Sequence, residues 1–561
     1  MLNTSNSYAV PTKNGNMKVI EGSNTSDDEA NVSIEKFVTV EMKGRVFLRP
    51  IDSDFKETFF NELSRKIGWN TTLEFEHTYP IELLSLYINE FSDDDVKNLI
   101  DEYITKRKSI LDESLKSGKI EFDDVPLIFK KGEEVCFYSD GEIRGGIISG
   151  VTIENGMFTG VRYRLSCRVF EAVENKPKEY IIQVYIRHWS GFAKLRDLPV
   201  SIITPEIKEY LHERGKRFRD VSMKPSYVSY IGDLTRVSWN NENRYRAEGR
   251  IMIDPKSFYD FDPDQMRFVT DQMNSTGEAI DDEIGLPDDV LWMASPFVYG
   301  FSFKSKRWGR FKVSGVSDIA WRDDAFEKLV LDSETKELIR AIVEYNDNNF
   351  TDIIDGKGGG YVFMLHGAPG QGKTLTAESV AEVLHRPLYS VGAGELGTDP
   401  DELETRLENI LEIVSAWNAV LLLDEADIFL EERNEKDILR NAMVGVFLRL
   451  LEYHQGVLFL TTNRVKNIDK AFYSRISICI KFDEADEAKR AKVWNNLISS
   501  SGINADKIDV EKLTHYNINS RQIKNAIRLS QTLARSRNVD IDTDLIQYVI
   551  NFNIKFLEEI N

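Results

Sequence analysis

The sequence is poor in cysteine, and its three, Cys136, Cys167 and Cys479, stand far apart. No CxxC pair or Cys/His cluster accompanies them. Neither a disulfide framework nor a zinc site is supported, and the usage fits a reducing compartment. Long apolar runs are absent too. None approaches the roughly 20 residues needed to span a bilayer, so no transmembrane segment is expected. The opening stretch MLNTSNSYAVPTKNGNMK has no apolar core and is not Arg-rich, which argues against a secretory or transit signal. The expected location is cytoplasmic, with the nucleus compatible, and not secreted. Blocks of basic residues are missing; the nearest, KSKRWGR (Lys304 to Arg310), reads as a solvated hairpin face. Lys and Arg number 71 against 92 Asp and Glu, a formal net charge of -21. A chain that acidic repels phosphodiester backbones unless it concentrates a basic face, so nucleic acid is a disfavoured partner. His188 and His212 have no ligand-spaced partners and read as ordinary structural residues.

What is present is enough chain for two to four domains, since 561 residues exceed one ordinary core. Residues 1–35 are rich in Asn, Ser, Thr, Gly and Asp, and a disordered tail is expected there. Over 36–122 apolar residues recur at helical spacing, as in FFNELSRKIGW and DDDVKNLIDEYITKRKSIL, so a mostly helical region is expected. Over 123–255 the period becomes two. EVCFYSD, GMFTGVRYRLSCRVFEAV, EYIIQVYIRHW and EGRIMID predict a β-rich barrel or sandwich, with TPEIKEYLHERGKRF as one inserted helix. Residues 256–290 are Pro- and Asp-rich and read as linker or loop. From 291 to 482 strands alternate with helices, which predicts an α/β core with a parallel sheet, and 483–561 reads as a helical end.

The chemistry is concentrated in that core. YVFMLHGAPGQGKTLTAESVAEVL is an apolar strand, a glycine turn and an amphipathic helix. Gly367, Gly370, Gly372, Lys373 and Thr374 fit G-x-x-x-x-G-K-[ST]. Glycines let backbone N–H groups curl around phosphate oxygens, and the helix N-terminus adds its dipole. The expected nucleotide contacts are Gly367, Ala368, Pro369, Gly370, Gln371, Gly372, Lys373, Thr374 and Leu375, with Lys373 reaching the β and γ phosphates and Thr374 on Mg²⁺. Further on, AVLLLDEADIFL is a buried strand ending in acids at the sheet edge where α/β ligands bind. Asp424 is the second expected Mg²⁺ holder, and Glu425 the expected general base for the attacking water. GVLFLTTNRV ends in Thr462 and Asn463, whose amide is expected to sense the water or γ-phosphate. ATP and Mg²⁺ are therefore the expected cofactors.

GAPGQGKT, LLLDEAD, FLTTNR and SRI in this order resemble an AAA+ ATPase module. WGRFKVSGVSDIAWRDDAFEKLVL, RPLYSVGAGELGT, RNAMVGVFLRLLEYHQGVLFLTTNRV and SRQIKNAIR are similar to a group of fungal AAA ATPases that carry an uncharacterised β-rich domain before the module. GMFTGVRYRLSCRVF, HWSGFAKLRDLPV, RGKRF and EGRIMID resemble that preceding domain. The resemblance covers roughly 125–550. It implies a P-loop AAA+ core followed by a helical lid, assembled as a homo-oligomer with a hexamer favoured. It also implies that Arg475, in IDKAFYSRI, acts on the γ-phosphate of the adjacent subunit, where such arginines are worth roughly 10³ to 10⁵ in rate. The competing reading of Arg475 is a surface ion pair with Asp469 or Glu484. Arg521 matches the second sensor, which reaches from the lid to the phosphates; a solvated helix-start arginine is the alternative. One departure stands out. The loop GAGELGTDPDELE should grip polypeptide, yet it offers Leu396 and no aromatic, and its acids suit capping of the next helix.

Three functions compete on this reading. The first is an ATP-driven remodeller of an unknown protein partner. The second is an ATP-gated oligomeric switch without threading, favoured by the missing aromatic. The third, a nucleic-acid translocase, is disfavoured by charge.

Overall fold

A computed structural model of the chain describes residues 7–11, 17–21, 37–42, 45–50, 79–90, 94–156, 160–238, 241–265, 274–279, 285–344, 360–433, 437–452, 454–464 and 468–560. The period-two segments become a six-stranded antiparallel sheet. Its order is Val200–Ile202, Glu134–Ser139, Glu142–Gly156, Gly160–Val173, Lys176–Arg187 and Asn274–Ala279. Alternation puts Tyr163, Leu165, Cys167 and Val169 on one buried face with Val184 and Ile186. Ahead of this sheet in the chain, the helix Asp94–Lys116 packs its Val96 and Ile100 with the buried Ile81, Leu84 and Leu127.

A second antiparallel sheet has the order Asn241–Ile253, Phe297–Ser302, Arg307–Lys312, Ser226–Ser238 and Val316–Ser317. Between the two sheets runs the helix Pro205–Ser222, started by Thr204, whose side chain accepts the Ile207 N–H, with Pro205 in the first turn. Trp292 presses so closely on Gly145 that a Cβ there would lie 2.5 Å from its ring, so the crossing demands glycine.

Four expectations are corrected here. The strands Phe297–Ser302 and Arg307–Lys312, expected inside the α/β core, complete the second antiparallel sheet instead. Sequence alternation cannot say which sheet a strand joins; long-range pairing with Ile251–Ile253 decides it. The stretch 256–290, expected to be linker, contains the helix Pro255–Phe261, capped by Asp254, and an edge strand, Asn274–Ala279. Within 36–122, Phe37–Met42 and Arg45–Pro50 form an antiparallel hairpin, so the region is not mostly helical, while FFNELSRKIGW lies outside the described residues. In the expected tail, Ser7–Pro11 also pairs with Met17–Glu21. That pair joins no other sheet.

The third large sheet is parallel throughout, in the order Leu388–Gly392, Val420–Asp424, Val457–Thr462, Tyr361–Gly367, Ile478–Phe482. Its central strands are nearly continuous apolar runs because helices cover both faces. The reversal of strand order brings the C-terminal ends of Tyr361–Gly367, Val420–Asp424 and Val457–Thr462 together. Helices Glu487–Ser501, Ser520–Arg537 and Thr543–Ile560 form the C-terminal lid around the buried Trp494, Leu513, Ile523 and Ile546.

The second antiparallel sheet is fused to this core. Met252 and Phe301 belong to the same apolar cluster as Leu421, Leu423 and Leu458. Phe301, Phe303 and Trp308 meet Tyr389 and Trp417 with ring centroids 5.6–6.2 Å apart. Trp417 donates its Nε1–H to Asp254 at 2.8 Å, and Arg250 pairs with Glu382 at 2.6 Å.

Candidate nucleotide site

The strand Tyr361–Gly367 ends against the helix Lys373–Val383, and the turn between them needs glycine twice. Gly370 and Gly372 have φ of 80° and 101°, a left-handed backbone that L side chains resist. Gly372 is the N-cap of the helix, so its first N–H groups point into the turn. Lys373 Nζ donates to the Gly367 and Ala368 carbonyls at 2.7 and 3.0 Å, and to Asn463 Oδ1 at 2.8 Å. Burial holds the Lys373 pKa below the usual lysine range, with Arg521 acting the same way and Asp424 and Asp427 opposing.

Asp424 ends its strand beside this loop. Thr374 Oγ1 lies 3.3 and 3.4 Å from its two carboxylate oxygens. Thr461 donates to Asp424 Oδ1 at 2.5 Å and accepts the Glu425 N–H at 2.9 Å. Glu425 itself has φ 56°, an uncommon conformation for a residue with a Cβ, of the kind that clusters at reactive sites. Asp427 steadies the neighbouring strand end: it accepts from the Thr462 hydroxyl and from the Asn463 N–H.

These groups line one cavity of about 510 Å³. It brings together Pro369, Gly370, Gln371, Gly372, Lys373, Thr374, Leu375, Asp424, Glu425, Asn463 and Arg521, all expected from the sequence; Gly367 and Ala368 sit beneath it and hold Lys373. Its remaining walls were not anticipated. Lys328, Leu329, Val330 and Leu331 come from the segment before the core, and Val493, Leu497, Asn496, Ser500 and Lys524 from the lid. The signal was weak, since isolated apolar residues on loop and lid carry no spacing rule. Glu378 also faces the cavity; lost solvation, Asp424 and Glu382 raise its carboxyl pKa, against the pull of Lys524. The lid touches the loop directly where Asn519 donates to the Pro369 carbonyl at 3.4 Å.

The donor set fits a nucleoside triphosphate with Mg²⁺. Backbone N–H groups and two cations, Lys373 and Arg521, suit phosphate, and the Thr374 hydroxyl beside the Asp424 carboxylate suits a hard cation that keeps several waters.

Arg475 is elsewhere. It does not line the cavity of its own chain. Its Nε donates to the Leu448 carbonyl at 3.1 Å, Nη1 to the Ala471 carbonyl at 3.0 Å, and Nη2 to Glu452 at 3.2 Å. The expected partner Asp469 is taken by Arg433 at 2.7 Å, so the ion pair expected with Asp469 or Glu484 is replaced by one with Glu452. Leu396 is likewise not a loop-tip contact: it is buried in the core, while Glu395 beside it pairs with Lys306 of the second antiparallel sheet at 2.5 Å. Asp399 caps the following helix by accepting the Asp401 and Glu402 N–H groups.

Residues 363–484 match the profile of the ATPase family associated with various cellular activities, AAA. This segment is similar to AAA ATPase domains. The match supports nucleotide binding and ATP-hydrolysing chemistry, in keeping with the phosphate loop and acidic strand end just described. Residues 110–204, which hold most of the first antiparallel sheet, match a domain of unknown function, DUF7025. A putative 26S proteasome regulatory subunit homolog of Methanothermobacter thermautotrophicus is 30% identical over 176 residues, 29% of this chain and 46% of that protein. The ATPase family AAA domain-containing protein 3A homolog of Drosophila melanogaster is 27% identical over 165 residues, 28% of this chain and 27% of its own length. The ATPase family gene 2 protein of Schizosaccharomyces pombe is 26% identical over 224 residues, 37% of this chain and 27% of that one. The chain thus spans less than half the length of the curated relatives it matches. Among the described residues no helix is long and apolar enough to cross a membrane.

Proposed function

We propose that the chain hydrolyses ATP with Mg²⁺ to remodel a protein partner, working as a homo-oligomeric ring, hexameric by preference. The observation that carries this reading is the convergence of Lys373, Thr374, Asp424, Glu425, Asn463 and Arg521 on one cavity. Lys373 and Arg521 bind the phosphates. Thr374 and Asp424 hold Mg²⁺, which when bound neutralises charge on the phosphate oxygens. Glu425 takes the proton of the attacking water, and Asn463, fixed by Lys373 and Asp427, orients that water. Arg475, outside its own cavity, serves the neighbour's site once released from Glu452. The β-rich domain ahead of the module is the arrangement of the fungal ATPases that the sequence resembles.

Mixing variants tests the shared site. Glu425→Gln keeps Arg475 but lacks the base; Arg475→Ala keeps the base but lacks the arginine. Each alone should be nearly inactive, and co-assembled mixtures should regain activity. Mixtures that stay dead although co-assembly is demonstrated refute the trans role; normal turnover by Arg475→Ala alone makes it a surface charge. The ATP-gated switch without threading remains the second reading, favoured by one observation. Leu396 is buried and its neighbour Glu395 is tied to Lys306, so this loop offers no aromatic or free apolar grip.

A further inference from the structure

The sequence has no run of basic residues, but the fold makes a basic face from residues that are not adjacent in the chain. On the first antiparallel sheet three cross-strand rows share the side opposite the buried Tyr163, Leu165 and Cys167. They read Glu154–Arg162–Arg187, Thr152–Arg164–Tyr185 and Gly150–Ser166–Gln183. Arg168 continues the face, opposite Ile181. Four arginines thus meet two carboxylates. Glu154 is shared by Arg162 at 2.8 Å and Arg164 at 2.9 Å, and Glu179 holds Arg168 at 3.4 Å. Arg187 is exposed and has no ion-pair partner among the described residues. The face is open: Tyr185 is 39% exposed, and a Cβ built on Gly150 would meet nothing within 4 Å.

We propose that this face docks an acidic, extended polypeptide segment of the protein partner. A net charge of -21 leaves most of the surface repelling such a segment, so a local excess of guanidinium groups selects where it lands. The trough at Gly150, Ser166 and Gln183 gives it a floor with hydrogen-bonding groups. A discrete carboxylate can meet Arg187 in forked geometry, and others the remaining N–H groups of Arg164 and Arg168, while Glu154 stays with Arg162 and Arg164. A nucleic acid fits less well. The exposed aromatic of these rows, Tyr185, is already covered by the Arg162 guanidinium 3.9 Å from its ring centre, and Glu154 would face an unbroken polyanion. The use of the docked segment rests on the remodelling reading; the binding itself does not.

The test uses the full chain and a fluorescein-labelled Glu/Gly repeat peptide, with a Gln/Gly peptide and an oligo-dT strand for comparison, read by fluorescence anisotropy at low and high salt. The acidic peptide should bind, weaken with salt, and outcompete the other two. Arg164→Gln with Arg187→Glu should lower its affinity at least about tenfold, with basal ATP turnover unchanged. Arg187→Gln alone, at an exposed position that costs no folding, should lower it about threefold. Equal binding of the neutral peptide, unchanged affinity in both variants, or tighter binding of oligo-dT overturns the proposal. So does a change in the mass of the peptide-free protein, by light scattering, in the Arg187→Gln variant, because the face would then be a contact between copies. If ATP turnover fails while peptide binding behaves as stated, the remodelling reading falls and the docking face stands.

Discussion

The β-rich half and the ATPase core use charge in opposite ways. Between the two antiparallel sheets, Arg144 and Glu171 are 1% and 2% exposed and pair at 2.7 Å; Arg144 Nη2 also donates to the Phe170 carbonyl and Glu171 accepts from the Tyr299 hydroxyl, while Arg144 Nε has no hydrogen-bond partner. Neither residue lines the nucleotide cavity. In the ATPase core, Asp424, Glu425 and Asn463 at strand ends and Lys373 at a helix start stand around open space, bonded largely to loop carbonyls and hydroxyls. Burial beside a paired counter-charge marks a structural charge; convergence on a cavity marks a chemical one.

The comparison can be broken most directly at Glu171. Glu171→Leu leaves the Arg144 guanidinium buried without its counter-charge, and should cost about 3–5 kcal/mol in denaturant unfolding. Asp424→Asn should instead leave unfolding within about 1 kcal/mol and lower turnover. A Glu171→Leu protein of normal stability would mean that the buried pair is replaceable.

The junction between the halves is expected to behave like core. Trp417→Ala removes a buried ring from the Phe301, Phe303 and Trp308 cluster and the hydrogen bond to Asp254. It should cost about 3–5 kcal/mol and unfold both halves in one transition. Two transitions, seen by calorimetry, would show that the second antiparallel sheet is independent of the ATPase core.

A smaller effect comes from a titratable group in the core that does not line the nucleotide cavity. His454 is buried, its Nε2 without a hydrogen-bond partner, and burial pushes its pKa down to about 4. Unfolded histidine titrates near about 6.5. Between those values the unfolded chain binds a proton that the folded chain refuses, so stability falls as pH drops through this window and is recovered above it. The loss should approach about 3 kcal/mol at pH 4. His454→Gln should flatten this slope and keep ATP turnover at neutral pH, whereas an unchanged slope would assign the acid sensitivity to other groups.

Most of the nucleotide site was legible because its parts are local. GAPGQGKT carries its own turn chemistry, and VLLLDE and LFLTTN announce strand ends. Arg475 was legible as a residue but not in its contacts, since Glu452 is 23 positions away at the end of the helix Ile438–Glu452. The lid and linker walls, Leu329, Val493 and Lys524, were invisible because closure around a cavity is a tertiary property. The β-rich half was legible in type but not in extent. Period two identifies strands, yet only pairing shows that Phe297–Lys312 joins Ser226–Ile253 across the helix Pro255–Phe261. The basic face was hidden for the same reason: its rows are built across three strands.

The central claim is that the cavity hydrolyses ATP with Glu425 as base. Nucleotide affinity and single-turnover hydrolysis should be measured side by side for Glu425→Gln. The account predicts unchanged ATP affinity, unchanged stability and turnover lowered about 10²- to 10⁴-fold, because the amide cannot accept the water's proton. Normal turnover with normal affinity would contradict it and move the base to another residue of the cavity.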